Sequence, residues 1–415
     1  MNPHTPRFAM NLRLAYTHLR LRRAFIVLCI AVTFNIALWA AGIWFFLTEF
    51  GFKTINAGLI ANIMLALVAA IALLGWIFSR AFTISNYKYN GLKLFLQSHY
   101  ADAEASFRKA MVAAENLAAA DPIRGDILTQ LSAVARALGN FDDAEQFGQR
   151  AVACQELAWG DDHPYTAAAL EELAATNDRI ARYSAARSLL ERAVKIREAG
   201  QRRDPSAYTA CLRSLGELWC RTENWEQADL CFRRVFEVIQ RILLAPPEQL
   251  VIASDQSLVY VHLNRLDEAD AVIQAGLAVA EKNPQPHGLP IAYCLSRLAY
   301  VRRFQERFEE AETIVRQSMA IVQKAAPANR LALNGDLHLL GVILRHQSRW
   351  AEAEECFRET LQLRDEYLAP EDLAIARVLE DYAELLELMG RAEEAHTNAH
   401  RALQIREFHS PFRIV

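Results

Sequence analysis

His396 and His400 stand four residues apart in a helical pattern, the spacing at which two imidazoles can share a metal ion. No third ligand accompanies them, and exposed polar residues of a helix suit the pair better. Asp161, Asp162 and His163 have the composition of an acid–base cluster, yet they lie in a Gly-Asp-Asp-His-Pro run that reads as a loop. Seven cysteines (Cys29, Cys154, Cys211, Cys220, Cys231, Cys294 and Cys356) show no Cys-x-x-Cys spacing and fall inside helical patterns. That pattern reads as free thiols in a reducing compartment. The chain holds no GxxxxGK phosphate loop, GxSxG elbow, HExxH helix or GxGxxG turn. Trp219 and Tyr260 occupy apolar helical positions and read as packing residues. No catalytic, cofactor-binding or metal-binding residue is expected, and the protein reads as a non-enzyme that uses no cofactor.

The elements behind these residues come from charge and hydropathy. The chain has 415 residues and a net charge of −4, so no basic excess points to nucleic acid. Residues 1–83 carry seven Lys/Arg against one acid, whereas the remainder carries 38 Lys/Arg against 48 acids. Residues 25–47 and 57–78 contain no charge. Each run is long enough, as a helix, to cross the apolar core of a bilayer. Arg7, Arg13, Arg20, Arg22 and Arg23 precede the first run, and Arg80, Lys88 and Lys93 follow the second. By the positive-inside rule both ends face the cytoplasm. The expectation is an integral membrane protein, as in a bacterial inner membrane, with two spans and a cytoplasmic repeat domain. Residues 1–23 form a basic segment whose spacing suits an interfacial helix, although a plain topogenic tail fits equally. The transmembrane hairpin takes 24–79, the body 84–408 and a tail 409–415.

The body is periodic. A phrase of an aromatic or apolar residue, two mostly polar residues and alanine recurs from Tyr100, Phe141, Tyr183, Trp225, Leu266, Phe308, Trp350 and Ala392. The spacing is 41 or 42 residues throughout, and the alanines are Ala103, Ala144, Ala186, Ala228, Ala269, Ala311, Ala353 and Ala395. Twelve residues earlier the side chain is again small: Gly91, Ser132, Ala174, Gly216, Ser257, Ala299, Gly341 and Ala383. Seven residues later come Ala110, Ala151, Ala193, Val235, Gly276, Ser318, Thr360 and Ala402. Small sites at these separations allow two antiparallel helices to touch and the second to pack on the next unit. Turn residues such as Gly139-Asn140, Asn264-Arg265 and Gly390-Arg391 fall between the helices, and acids such as Glu309 and Glu310 open each second helix.

This pattern resembles the tetratricopeptide repeat, with Phe107, Phe232 and Phe357 at a matching large position. The 42-residue period is similar to the kinesin-light-chain variety, without that family's heptad stalk. The resemblance implies a right-handed α-solenoid of eight helix-turn-helix repeats starting at 84, 125, 167, 209, 250, 292, 334 and 376, and with the two-helix transmembrane hairpin read from the charge-free runs before it the chain is expected to be all-α. It also implies that the first helices line a concave groove. Carried over position by position, the groove holds Arg136, Arg179, Arg221, His262, Arg303, Arg345 and His346 at the ends of those helices. Arg213 and His338 stand nearby, with Tyr293 and Tyr300 as apolar anchors. Basic side chains also favour helix C-termini through the dipole alone.

Two functions fit. One is a membrane-anchored scaffold whose groove binds a protein or peptide partner, an acidic segment being the expected chemistry. The other is an integral accessory subunit of a membrane assembly for secretion, envelope or transport. A homo-oligomer is compatible with either.

Overall fold

The structure is a computed structural model that describes residues 81–409 and Ala69, apart from 116, 119–120, 240–245, 283–287 and 326–329. The described residues form sixteen α-helices, one short 3-10 helix (Arg330–Leu333) and no strand. They divide into two compact units, one ending at Gly160 and one beginning at Asp161. The first contains α1 (81–96), α2 (Tyr100–Ala113), α3 (Pro122–Ala137) and α4 (Phe141–Trp159). The second begins with α5 (Pro164–Arg179), α6 (Tyr183–Ala199), α7 (Pro205–Arg221), α8 (Trp225–Ile239), α9 (Pro246–His262) and α10 (Leu266–Lys282). It continues with α11 (Gly288–Phe304), α12 (Phe308–Ala325), α13 (Asn334–His346), α14 (Trp350–Tyr367), α15 (Leu373–Leu388) and α16 (Ala392–Phe408).

Each odd-numbered helix pairs with the next, and the small residues set the contact. Every one of the eight repeat alanines is buried, from Ala103 to Ala395. The partner sites twelve residues earlier and seven later are buried too. The packing at Gly216 shows why size matters: a Cβ there would stand 2.9 Å from the ring of Phe232. At Gly91 the same atom would stand 2.8 Å from Phe107. The large Phe of the second helix therefore fills the gap that glycine leaves in the first. Where the small residue is Ser132, its hydroxyl donates to the Ala144 carbonyl at 2.7 Å, so the polar atom is buried but satisfied.

The turns repeat as faithfully. Ser98, Gly139, Ala181, Glu223, Asn264, Glu306, Ser348 and Gly390 all adopt positive φ, between 57° and 81°. The next residue's N–H returns to a carbonyl five positions back, as in Asn140 to Ala135 at 2.9 Å and Arg391 to Leu386 at 2.9 Å. This is the Schellman closure of a helix C-terminus. Between units, the second-unit helix α7 starts with Asp204 accepting from Ala207 N at 2.9 Å and with Pro205 in its first turn. α5 starts likewise, with His163 Nδ1 accepting from Tyr165 N at 3.3 Å. His163 thus caps a helix, and Asp161 lies 3.7 Å from Arg192 in an ion pair.

The expectation of an integral membrane localisation is corrected: among the described residues no helix is long and apolar enough to cross a membrane. The described α-helices run 13 to 19 residues and carry charged side chains on their outer faces. A span needs about 20 mostly apolar residues. The two charge-free runs at 25–47 and 57–78, and the basic segment 1–23, lie outside the described residues.

Ala228, fully buried between α7 and α8, tests the packing register. Ala228→Leu should destabilise the protein by about 1–3 kcal/mol through overpacking. Leu230→Ala, at a side chain 53% exposed, should change stability by less than about 0.5 kcal/mol. Denaturant unfolding of the two variants gives the comparison.

Candidate functional site

The second unit holds an open cavity of about 690 Å³. α11 supplies its central wall. Tyr293, Arg297, Tyr300 and Phe304 follow one another at helical spacing and all line the cavity, with Ser296 and Arg303 beside them. α9 contributes His262, α13 contributes Asp336 and His338, and α15 contributes Arg377, Glu380, Asp381 and Glu384. Arg364, Arg406, Trp225 and Glu223 complete the lining used below.

The wall is a polar network. His262 stacks on Trp225 with ring centroids 3.7 Å apart and planes 1° from parallel. Its Nε2 lies 3.0 Å from the Tyr300 hydroxyl. Burial, and then the nearby arginines Arg377 and Arg297, lower the His262 pKa to about 4, so the ring is neutral where it shares a hydrogen bond with the Tyr300 hydroxyl. His338 Nε2 donates to Asp381 Oδ2 at 2.8 Å. Burial lowers the His338 pKa, and the same hydrogen bond, against the opposing effect of burial, holds Asp381 below the ordinary carboxylate range. Arg364 is buried and donates to Asn334 Oδ1 at 2.6 Å and to the Ala374 carbonyl. Its pKa falls to about 9 through burial and then Arg377.

A seam between residues far apart in sequence borders the cavity. Arg377 Nε lies 3.0 Å from Glu223 Oε1, and Arg377 Nη2 donates to the Arg221 carbonyl at 2.9 Å. Arg406 Nη1 reaches Glu223 Oε2 at 3.2 Å and also pairs with Glu380. The Leu373 N–H donates to the Tyr183 hydroxyl at 3.3 Å, the Tyr183 ring meets His409 at 4.7 Å, and Arg179 donates to the Tyr367 carbonyl at 3.1 Å. The start of α15 and the end of α16 are thereby tied to α5, α6 and the α7–α8 turn. Glu223 is the centre of this seam, and it holds its position at a φ of 60°. Burial would raise its pKa, but Arg377 and Arg406 hold it below the ordinary value.

The expected groove residues divide accordingly. His262, Tyr293, Tyr300, Arg303 and His338 line the cavity. Arg221 instead lies 3.0 Å from Asp178 and 3.9 Å from Asp372. Arg345 pairs with Asp381 at 3.4 Å and Glu384 at 2.5 Å. Arg213 pairs with Glu217 at 2.8 Å and Asp255 at 3.5 Å. His346 stacks on Phe308 at 4.8 Å. Arg179 belongs to the seam, and Arg136 belongs to α3 of the first unit. Arg297, Arg377 and Arg406 are the functional candidates that sequence reasoning missed. Arg297 had a signal, since it continues the Tyr293–Tyr300 helical face.

Other chemistry is weakly equipped. Burial pushes the thiols of Cys220 and Cys294 up to about 12 and those of Cys231 and Cys356 up to about 11, so all four stay protonated. The rings of His396 and His400 lie 6.5 Å apart, and among the described residues no group of three His, Cys, Asp or Glu is placed to hold a metal ion.

Residues 124–199 and 333–407 match the family described as tetratricopeptide repeat, and these segments are repeats of that type. No curated protein sequence matches the chain. Among solved structures, the crystal structure of a Rap protein complexed with Competence and Sporulation Factor is similar over 97% of this chain and 98% of its own, at 13% identity and a TM-score of 0.59. The apo form of the quorum sensor NprR from B. thuringiensis matches 83% of this chain and 95% of its own, at 12% identity and a TM-score of 0.55. A kinesin light chain with nearly identical TPR-like repeats from Podosopora anserina covers 50% of this chain and 98% of its own, at 20% identity and a TM-score of 0.44.

Two measurements test the network. The unfolded chain takes up the His262 proton near pH 6.5 and the folded chain near 4, so the stabilisation is full above about 6.5 and is lost as pH falls toward 4. His262→Phe, which keeps a ring on Trp225, should therefore lose less stability than wild type across that window in denaturant titrations. At the seam, Glu223→Arg places a third cation against Arg377 and Arg406. Amide exchange at 373–388 should quicken while 311–322 stays as in wild type; unchanged exchange at both would remove the electrostatic account of the seam.

Proposed function

We propose that the second unit is a receptor for a peptide or protein segment, held in the cavity bounded by α9, α11, α13 and α15, and that the chain acts as an interaction scaffold. The observation that carries this reading is the lining. Tyr293, 43% exposed, and Tyr300 offer aromatic surface next to an array of guanidinium, imidazole and carboxylate groups. Such a mixture suits a polypeptide, whose backbone and side chains alternate polar and apolar demands. The volume of about 690 Å³ accommodates a short stretch of chain rather than a folded domain.

The comparisons support the same reading. Tetratricopeptide repeats form scaffolds suited to protein–protein interaction. The Rap structure similar along most of this chain was solved with Competence and Sporulation Factor bound, and the NprR match is described as a quorum sensor.

Aromatic anchors in desolvated pockets carry about 2 kcal/mol or more of binding energy. Pull-down with the full chain should recover partners that Tyr293→Ala recovers about thirtyfold less well, while Leu230→Ala, on the outer face of α8, recovers them as wild type does. Equal recovery by both variants would place binding outside the cavity.

A further inference from the structure

Resting on the receptor reading, we propose that the cavity recognises a carboxylate of the bound segment, and that Arg297 is the cation that anchors it.

The argument begins with the partners of each charged group in the lining. Glu223 is held by Arg377 and Arg406, and Glu380 by Arg406. Asp381 is held by His338 and Arg345, and Glu384 by Arg345. Asp336 accepts from the Ser318 hydroxyl at 2.7 Å. Arg364 donates to Asn334 and to the Ala374 carbonyl. Besides Arg364, two lining cations have no carboxylate partner among the described residues. Arg303 stacks on Tyr300 and Phe304, with its guanidinium carbon 5.4 and 4.5 Å from the ring centroids. Arg297 has no hydrogen bond, ion pair or ring contact at all among the described residues.

Arg297 is partly buried and projects from the middle of α11 into the cavity. A guanidinium withdrawn from bulk water without a partner is costly. The two carboxylates that its charge reaches are committed elsewhere, Asp255 to Arg213 and Asp336 to Ser318. Burial also pushes both of those acids toward the neutral form, Asp255 to about 7. The guanidinium therefore retains free donors in a fixed fork, the geometry that matches a carboxylate bidentately. Tyr293 and Tyr300 flank it one helical turn away on each side, so the residues next to the bound carboxylate meet aromatic faces.

The same inventory favours a monoanion over phosphate. Five carboxyl side chains line the cavity: Glu223, Asp336, Glu380, Asp381 and Glu384. A dianionic phosphoryl group would meet their repulsion with one free guanidinium and one stacked one, whereas a single carboxylate needs only Arg297. The carboxylate can come from an Asp or Glu side chain or from a peptide C-terminus.

Full-length protein is presented with degenerate octapeptide pools, one with free C-termini, one C-terminally amidated and one containing phosphoserine, and the retained peptides are sequenced by mass spectrometry. The expected result is enrichment of Asp or Glu at one position in the free and amidated pools alike, or, for terminal recognition, enrichment from the free pool only. Arg297→Met should weaken the enriched peptides by about thirtyfold or more, and Arg297→Lys should restore part of that loss. In the absence of peptide, Arg297→Met should leave the melting temperature unchanged or raise it, because no partner is orphaned. A fall in melting temperature would make Arg297 a structural residue and overturn the proposal. Enriched peptides without a carboxylate, preference for phosphoserine, or equal binding by Arg297→Met would also overturn it while leaving the receptor reading intact. Absence of enrichment from every pool would overturn the receptor reading and the anchor together.

Discussion

Two helices in one repeat approach as closely as the smallest side chain between them permits, and the rest of the architecture depends on that approach. The eight alanines are buried because a larger residue would push the second helix off the first. The same distance determines how much room remains for the aromatic ring opposite, which is why Phe232 sits where Gly216 lacks a Cβ. Dense packing of this kind transmits position: a fixed helix pair gives a fixed Schellman turn, and a fixed turn gives the next repeat its starting angle.

Charge is arranged on that frame in two registers. One is periodic. Arg265, Arg307, Arg349 and Arg391 each precede a second helix and pair with an acid three residues on. Arg349 also reaches Glu312 at 2.8 Å and Arg391 reaches Glu354 at 2.8 Å, so the same side chains bridge neighbouring repeats. The other register is unique to the second unit and consists of the cavity network and the seam. Exposed pairs of the first kind contribute little each. The buried groups of the second kind matter more, because an unpaired member would be costly.

This division explains what could be read from the sequence. Repeat period, helix pairing and the small-residue register are local or recur every 42 residues, so one-dimensional arithmetic finds them. The basic row was also visible, but its meaning was not. Arg221 is neutralised by Asp178, and Arg345 by Asp381 and Glu384, which lie one repeat away. No spacing rule announces such pairs, because they depend on the angle between successive units. The seam is further out of reach, since Glu223 and Arg377 are separated by 154 residues. Asp161, Asp162 and His163 show the converse: a cluster that suggests chemistry in isolation becomes a helix cap once its neighbour Pro164 is placed.

The seam and the cavity share side chains. Arg377, Arg406, Glu380 and Glu223 hold α15 and α16 to the α7–α8 turn and also form part of the cavity wall. The apolar clusters that bind each helix pair are insensitive to salt, whereas ion pairs exposed by about a third, as Arg377 and Glu223 are, weaken as salt screens them. The seam therefore weakens with salt while the helix pairs around it hold. Under the receptor reading, a carboxylate brought by a bound segment would meet Glu223 as a competitor at Arg377 and no such competitor at Arg297.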